Sequence, residues 1–270
     1  MAKWRAALPM YDLPSLASAH QALWTAMVTY LHREGYAQLP ATLETITDPY
    51  AFWRDPQVLF SQCCEYPLLQ GLQTQLEMLA SPQYDCVGCE GARYSSYIVA
   101  RANDPRRKLM DYYQSCVVIN DVQSNSGYNL LGAAVAELSA RNPFFKSHVL
   151  SGSHQQSLLA VKRQSADIAA VDCVSFNQLK RAHLIDPADY QILAHTSQAG
   201  ALPWVCSKSV PADLQHCLKA ALQAALTDPQ LTQTRQALLL KGADFSPDTQ
   251  MSLTRLAHTK AITIRLTPTL

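Results

Sequence analysis

The sequence predicts an α/β protein with two lobes. Apolar, strand-like segments alternate with amphipathic helical segments along the 270 residues, the order that produces mainly parallel sheets covered by helices. The chain has no long linker, so the joins near residues 101–105 and 196–203 indicate hinges at which it crosses between lobes and returns. We therefore expect lobe one to comprise residues 1–102 and 200–270, and lobe two residues 103–199. A ligand cleft between the lobes follows from that double crossing.

The first lobe begins with a strand and an amphipathic helix. Residues 3–11 are typical of a strand, and residues 15–32 carry apolar side chains at helical spacing behind Ser15, which we expect to cap the helix. Further strands are expected at residues 58–62, 76–79 and 94–102.

The second lobe continues the alternation. We expect strands at residues 116–119, 147–150, 167–171 and 190–194, and helical segments at residues 108–113, 127–140, 155–163 and 176–182. Beyond a strand-like segment at 202–206, the sequence predicts helix through Leu240, with starts at Pro211 and at Asp228-Pro229.

Bulk composition excludes several classes of function. A hydrophobic content of 48% supports a well-buried core, and a formal charge of +1 removes the electrostatic case for nucleic-acid binding. No stretch approaches the roughly 18 apolar residues of a membrane span, and the N-terminus lacks the apolar region of a signal peptide. We therefore expect a cytoplasmic protein as the chain is written, and a periplasmic one if a leader was removed.

The eight cysteines leave the compartment and redox state open. Cys86 and Cys89 form a CxxC pair, which together with Cys63 and Cys64 could bind zinc, although adjacent ligands fit one tetrahedron poorly. A disulfide between Cys64 and Cys89 is a second alternative, and thiols outside any disulfide are the default.

The segment at residues 117–128 carries the main functional prediction. A buried strand runs into a polar loop and then a helix that opens on Ser124, Asn125 and Ser126. Exposed N–H groups at a helix start bind oxyanions, and serine hydroxyls add neutral donors. Plain N-capping is the alternative, since Ser and Asn are preferred there in any helix. Three such residues followed by Gly127, which allows close approach to the backbone, favour the binding site.

Two further candidates follow strands in the same way. Ser153 and His154 start the helix after residues 147–150, where His154 could donate to an anion or could simply be an exposed first-turn residue. Asp172 ends the apolar strand at 168–171, a place where α/β sheets present groups to ligands. It could accept from a ligand or only cap the next helix.

Five stretches, taken in order, carry a family resemblance. They are residues 8–12, 61–68, 88–91 with 94–96, 120–128, and 152–154 with 166–172. The chain resembles the phosphonate/phosphate-type substrate-binding proteins of ABC transporters, which have the type 2 periplasmic-binding-protein fold. The resemblance implies two α/β lobes that close on a ligand, and binding without chemistry. Cys63, Glu65 and Cys86 depart from the small or polar residues expected at their positions.

Three tyrosines complete the candidate site. Tyr11, Tyr66 and Tyr94 lie in the matched stretches, after strands or loops expected to face the cleft. A tyrosine hydroxyl can bind an oxyanion while its ring packs against the carbon part of a ligand. Any one of them alone fits the core better than the site, but at three matched positions we expect at least one to touch the ligand.

The sequence therefore predicts a monomeric solute-binding protein that closes on a small oxyanion-bearing ligand, phosphate- or phosphonate-like, for an ABC transporter permease. It predicts no cofactor and no nucleic-acid partner. Motifs of the GxSxG, HExxH, P-loop and GxGxxG types are absent from the sequence. The alternatives are a cytosolic ligand sensor, or an enzyme that reuses the fold with Cys64 or His154 in the chemistry.

Overall fold

A computed structural model describes residues 4–138 and 143–246 and divides them into two compact α/β units. The first unit holds residues up to 85 and from 200 onward, and the second holds residues 86–199. The division differs from the lobes expected from the sequence, because residues 86–102 lie with the second unit. Residues 247–270, expected in lobe one, and the last residues of the helix expected at 127–140 lie outside the described part.

The first unit is built on a five-stranded sheet of order β1-β2-β12-β3-β13. Its strands are β1 (Arg5–Ala7), β2 (Val58–Gln62), β3 (Leu76–Tyr84), β12 (Trp204–Ser207) and β13 (Leu240–Asp244). Its α-helices are α1 (Ala17–Arg33), α2 (Pro49–Trp53), α3 (Glu65–Leu69), α7 (Ala212–Thr227) and α8 (Thr232–Ala237).

The second unit has a sheet of order β10-β6-β9-β7-β8 and a small β4–β5 hairpin. Its strands are β4 (Cys89–Glu90), β5 (Arg93–Tyr94), β6 (Ser96–Arg101), β7 (Cys116–Ile119), β8 (Ser147–Leu150), β9 (Ile168–Asp172) and β10 (Tyr190–His195). Its helices are a one-turn π-helix (Asn125–Asn129), α4 (Leu130–Leu138), α5 (His154–Lys162) and α6 (Cys173–Arg181). A two-residue strand, β11 (Ala199–Gly200), lies where the units divide.

Two expectations about these elements were wrong, and a third differs only at its end. The sheets are mixed: parallel pairs occur only at β1–β2, β7–β8 and β7–β9 among the described strand pairs, because β6, β10, β12 and β13 run antiparallel to their neighbours. The stretch expected to be helical through Leu240 carries α7 and α8 up to Ala237, and strand β13, which pairs with β3, begins at its last residue. Ser15 does not cap α1, which follows a 3₁₀ turn that starts at Pro14.

Burial follows the sequence pattern within each unit. In the first unit α1 buries a stripe that includes Leu23, Trp24 and Met27, and the Trp24 ring stacks on Phe60 of β2 at 5.4 Å. In the second unit every residue of β9 is buried, as expected for a central strand covered on both faces. Among the described residues, no helix is long and apolar enough to cross a bilayer.

An ion-pair cluster around the buried carboxylate of Asp104 holds the loop after β6. The Arg106 guanidinium lies 2.7 Å from Asp104 and 2.8 Å from Asp167, while its carbon atom Cζ is 4.1 Å from the centroid of the Tyr112 ring. Arg101 also reaches Asp104, which is 4% exposed. Hydrogen bonds from Arg106 lower the pKa of Asp104 to about 2.

We predict that this cluster makes stability acid-sensitive. The folded-state pKa of Asp104 is below its ordinary value of 3.8, so the unfolded chain binds more protons between those values. The stabilisation is therefore present above pH 4 and lost as the pH falls through 2, by roughly 2 kcal/mol. Urea unfolding across this pH range measures it. Asp104→Asn should be less stable at neutral pH and lose that part of the acid dependence, whereas an unchanged pH profile in Asp104→Asn would contradict the assignment.

Candidate functional site

Three neighbouring parallel strands of the second unit end at one edge of its sheet. Because β9, β7 and β8 run in the same direction, their carboxyl ends meet there, the place where α/β sheets bind ligands. The loop after β8 is tied to the end of β7, since the Ser151 and Gly152 N–H groups donate to the Ile119 and Asn120 carbonyls, each at 3.0 Å. Every strand of this trio then turns into a helix.

The candidate residues cap these three helices. Ser124 Oγ accepts from the Gly127 N–H at 3.0 Å, Ser153 Oγ from Gln156 at 3.2 Å, and Asp172 Oδ1 from Ser175 at 2.9 Å. The capping role considered for Ser124 and Asp172 is therefore present in the structure. Ser153 is exposed, whereas Ser124 and Asp172 are buried. Capping occupies one acceptor position on each oxygen and leaves the serine protons available to another group.

A hydrogen-bonded chain links the first two helix starts. Ser124 Oγ lies 3.3 Å from Ser126 Oγ, which lies 2.7 Å from His154 Nε2. The backbone carbonyl of Ser126 also accepts from the hydroxyl of Ser96, the first residue of β6. The residues at 124–126 and at 154, predicted separately from two similar stretches of sequence, thus form one cluster.

Asn125 faces the interior of the same unit. Its side-chain amide donates to the Tyr94 hydroxyl at 3.2 Å, and its carbonyl oxygen accepts from Asn129 at 2.8 Å. Asn125 is 0% and Tyr94 1% exposed. These two candidates stand directly beneath the serine cluster, and their buried hydrogen bonds fix the first turn of the π-helix.

Gly127 is required by a close approach of the chain to itself. A Cβ added there would lie 1.9 Å from Asn120 Oδ1 and 3.4 Å from His154 Cε1. Sequence reasoning expected Gly127 to admit a ligand to the backbone, but the group that occupies the space is the Asn120 side chain. Asn120 Oδ1 is buried and has no hydrogen-bond partner among the described residues. Asn120 was not predicted as a site residue, although its place directly after a buried strand could have marked it.

His154 is uncharged at neutral pH. Burial lowers the pKa of its imidazole to about 4, because an ion loses its hydration there without gaining a counter-charge. Its Nδ1 atom is buried without a hydrogen-bond partner among the described residues. With Nε2 protonated, the ring donates to Ser126 Oγ and leaves the Ser126 proton directed elsewhere.

The other two predicted tyrosines lie in the first unit, after the parallel strands β1 and β2. Tyr11 has a positive φ of 58° and meets the Tyr84 ring edge-on at 5.5 Å. Tyr66 is buried in α3. The Tyr84 hydroxyl accepts a hydrogen bond from Gln62 Nε2 at 2.9 Å. Neither Tyr84 nor Gln62 was among the site residues predicted from the sequence. Gln62 could have been noticed as the polar end of a buried strand.

The disulfide alternative for Cys64 and Cys89 was wrong, and the default of thiols outside any disulfide is confirmed. None of the eight cysteines, all within the described residues, is in a disulfide. Cys63 and Cys64 lie in the first unit. Cys86 and Cys89 lie in the second, beside Cys173, which was not predicted to join them.

Comparison with known proteins decides the family. Residues 10–250 match the model of a family described as the periplasmic substrate-binding protein of a phosphonate ABC transporter. The chain belongs to this family. A comparison with curated protein sequences finds no match. The members that this family model describes are substrate-binding proteins of transporters, so the predicted solute-binding role is confirmed.

Solved structures show the same fold at low sequence identity. PhnD1 from Prochlorococcus marinus in complex with methylphosphonate has a TM-score of 0.75 at 11% identity, over 96% of this chain and 98% of that one. XAC2383 from Xanthomonas citri bound to chloride has a TM-score of 0.74 at 14% identity, over 96% of this chain and 98% of that one. A binding protein component of an ABC phosphonate transporter from Pseudomonas aeruginosa has a TM-score of 0.71 at 15% identity, over 96% of this chain and 88% of that one. The predicted periplasmic-binding-protein fold is thereby confirmed.

We predict that Gly127→Ala destabilises the second unit through Asn120. The added methyl group cannot fit 1.9 Å from Asn120 Oδ1, so the loop must shift, at a cost of about 1–3 kcal/mol. Asn120→Ala removes the clashing atom, and the double variant should recover much of the loss. Chemical denaturation of the four proteins measures this coupling, and additive losses would contradict it.

We predict that His154 stays neutral at pH 6. Its folded-state pKa of about 4 is below the ordinary 6.5, so the unfolded chain binds more protons between these values. Stability from this residue is present above pH 6.5 and lost as the pH falls through 4. Carbon-13 NMR of labelled histidine, assigned with His154→Gln, measures the titration. Titration of His154 near 6.5 would contradict its burial, and His20→Gln in the first unit should leave it unchanged.

Proposed function

We propose that the protein binds a small molecule bearing a phosphonate- or phosphate-like oxyanion, and that the cluster of Ser124, Ser126 and His154 holds the anionic group. The observation that carries the proposal is the 2.7 Å contact between Ser126 Oγ and the half-buried imidazole of His154, at the edge where three strands end. Solute binding follows from the family, and the ligand class and its contacts are the proposed part.

The donors supplied by this cluster are neutral. With Nε2 protonated, Ser126 Oγ accepts from His154 while Ser124 Oγ accepts a backbone N–H. One of the two hydroxyl protons then joins the serines, and the other can point to a ligand oxygen. The early N–H groups of the helix that begins at Asn125 have no intrahelical carbonyl and add their dipole. None of the three cluster side chains is charged at neutral pH. Specificity would therefore come from hydrogen-bond geometry, with little selection for total charge.

The remaining predicted residues would shape the rest of the site. Tyr94 and Asn125 support the cluster from below through their mutual hydrogen bond. Ser153, Asp172, Tyr11 and Tyr66 remain proposed ligand contacts, with Asp172 suited to an amine or hydroxyl on the ligand. The methylphosphonate bound by the Prochlorococcus PhnD1 is a ligand of the proposed class.

A Ser126–His154 pair also has the geometry of a nucleophile and its base, which is the form that the enzyme alternative takes here. Two features favour binding over that reading. A histidine with a pKa of about 4 is a weak base at neutral pH, and its Nδ1 has no partner among the described residues to orient the ring. Cys64, the other candidate nucleophile, lies in the first unit as the N-cap of α3.

Closure on the ligand and delivery to an ABC transporter permease belong to the same proposal. Ligand would select a closed state, as expected for hinged solute-binding proteins. A cytosolic sensor would use the same ligand contacts without the permease.

A thermal-shift screen tests the proposal. Phosphate, phosphite, methylphosphonate, other alkylphosphonates, sulfonates and amino acids are each added to the wild type, to Ser126→Ala and to Ser165→Ala. A ligand at 100 times its dissociation constant stabilises by about 2.7 kcal/mol. We expect an oxyanion to raise Tm in the wild type and in Ser165→Ala, an exposed serine outside the cluster, and to have a much smaller effect in Ser126→Ala.

Other outcomes would contradict this assignment. An oxyanion shift that survives in Ser126→Ala would move the ligand away from the cluster. A Tm shift with amino acids alone would show that the ligand is not an oxyanion of the proposed class. Consumption of a bound compound that is lost in Cys64→Ala or Ser126→Ala would favour the alternative that the protein is an enzyme.

A further inference from the structure

Three cysteine sulfurs meet in the second unit and share no residue with the serine cluster. Cys86 and Cys89 flank a tight turn, and Cys173 is the first residue of α6. Cys89 Sγ lies 3.5 Å from Cys86 Sγ and 3.4 Å from Cys173 Sγ, and all three sulfurs lie within 4.8 Å of one another. Three sulfurs around one point is the arrangement that a thiolate-bound metal requires.

The separations fit a metal better than a disulfide. Two thiolates at about 2.3 Å from a tetrahedral zinc ion are about 3.8 Å apart, close to the values seen here. A disulfide requires about 2.05 Å between its sulfurs. The central sulfur, Cys89, is at nearly equal distances from the other two, so neither pairing is preferred.

The backbone around the cluster is built for this approach. The Cys89 N–H donates to the Cys86 carbonyl at 3.1 Å, which closes the CxxC turn, and Gly88 within it has a φ of +94°. A Cβ on Gly88 would lie 3.0 Å from Cys173 Cβ and 2.9 Å from Ser95 Oγ. Glycine therefore supplies both the left-handed conformation and the space for Cys173.

Further hydrogen bonds fix both halves of the cluster. Ser95 Oγ donates to the Gly88 carbonyl, its own carbonyl accepts from the Cys173 N–H, and the Tyr97 hydroxyl donates to the Val87 carbonyl at 2.6 Å. Cys173 is 0% exposed, whereas Cys86 and Cys89 are half-buried and give an ion access from solvent. The turn and the start of α6 are thus held in place through backbone atoms, with the sulfurs left to face one another.

Charge explains what would complete the cluster. Three sulfurs this close cannot all be thiolates without a counter-charge, because their negative charges would repel one another. A cation among the sulfurs would stabilise the thiolates and displace their protons to the solvent. The N-terminal end of α6 adds a favourable dipole at Cys173.

We propose that Cys86, Cys89 and Cys173 bind one thiophilic d¹⁰ cation, Zn²⁺ or Cu⁺, as a three-thiolate site. Soft sulfur ligands select these ions over Mg²⁺ or Ca²⁺. A three-coordinate set would satisfy Cu⁺, and Zn²⁺ would take a fourth ligand from water or a nearby carboxylate. The site is independent of the proposed oxyanion cluster and needs no bound solute.

Anaerobic titration of the fully reduced protein tests the site. One arm adds Zn²⁺ against a chromophoric chelator, and the other adds Cu⁺ against bicinchoninate, with a phosphine reductant in both. We expect one ion per chain in at least one arm, loss of that binding in Cys89→Ser, and retention in Cys116→Ser, a cysteine of β7 outside the cluster. Failure of both ions to bind, or equal binding by Cys89→Ser, would overturn the proposal.

A second measurement needs no variant. Alkylation of the wild type with and without the ion, read by peptide mass spectrometry, should show protection of Cys86 and Cys89 and no protection of Cys217, a half-buried cysteine of α7. If the ion leaves the labelling of Cys86, Cys89 and Cys217 equally unchanged, the proposed site is wrong. A Cys86–Cys89 disulfide on air exposure of a protein that binds neither ion when reduced would also overturn it.

Discussion

The second unit depends on one constraint: three helices must start where three parallel strands end. Each start exposes N–H groups that the helix cannot satisfy, so the loops there must supply polar atoms. Ser124, Ser153 and Asp172 do so in turn. Because β9, β7 and β8 are neighbours, these polar atoms are also neighbours along one sheet edge. Because these N–H groups require hydrogen-bond acceptors, hydroxyl, imidazole and carboxylate groups lie together at the edge where we propose that the ligand binds.

Burial then determines the chemistry of the groups at that edge. His154 is neutral because its ring is removed from water, and its contact with Ser126 turns a titratable side chain into a fixed donor or acceptor. Asn120 Oδ1 and His154 Nδ1 lie buried without partners among the described residues. Unsatisfied buried polar atoms are costly, and they commonly mark places where function takes precedence over stability. His154 belongs to the proposed oxyanion cluster, and Asn120 lies against Gly127 beside it.

The cluster of Cys86, Cys89 and Cys173 depends on a close approach between two backbone segments, and we propose that it gives the same unit a metal site. The turn at Gly88 and the first residue of α6 are held by hydrogen bonds from Ser95 and Tyr97. Cys173 follows Asp172 directly, so a metal there would fasten the start of α6 at the edge that carries the proposed ligand contacts. The proposed solute site and the proposed metal site would then lie on the same secondary-structure elements, but no protein atom would contact both the solute and the metal.

The sequence alone determined local features. Buried strands such as 58–62 and 116–119 and the polar helix starts at 124–126 and 153–154 were predictable, because apolar runs and capping residues act over a few neighbouring positions. Five stretches in family order also predicted the fold. The direction of β6 and β12, the pairing of β13 with β3, and the contact of Ser126 with His154 were decided by tertiary structure. So was the meeting of Cys173 with Cys86 and Cys89, 84 residues from the nearer one. Such contacts depend on how sheet strands are ordered in space, and a local pattern of residues does not encode that order.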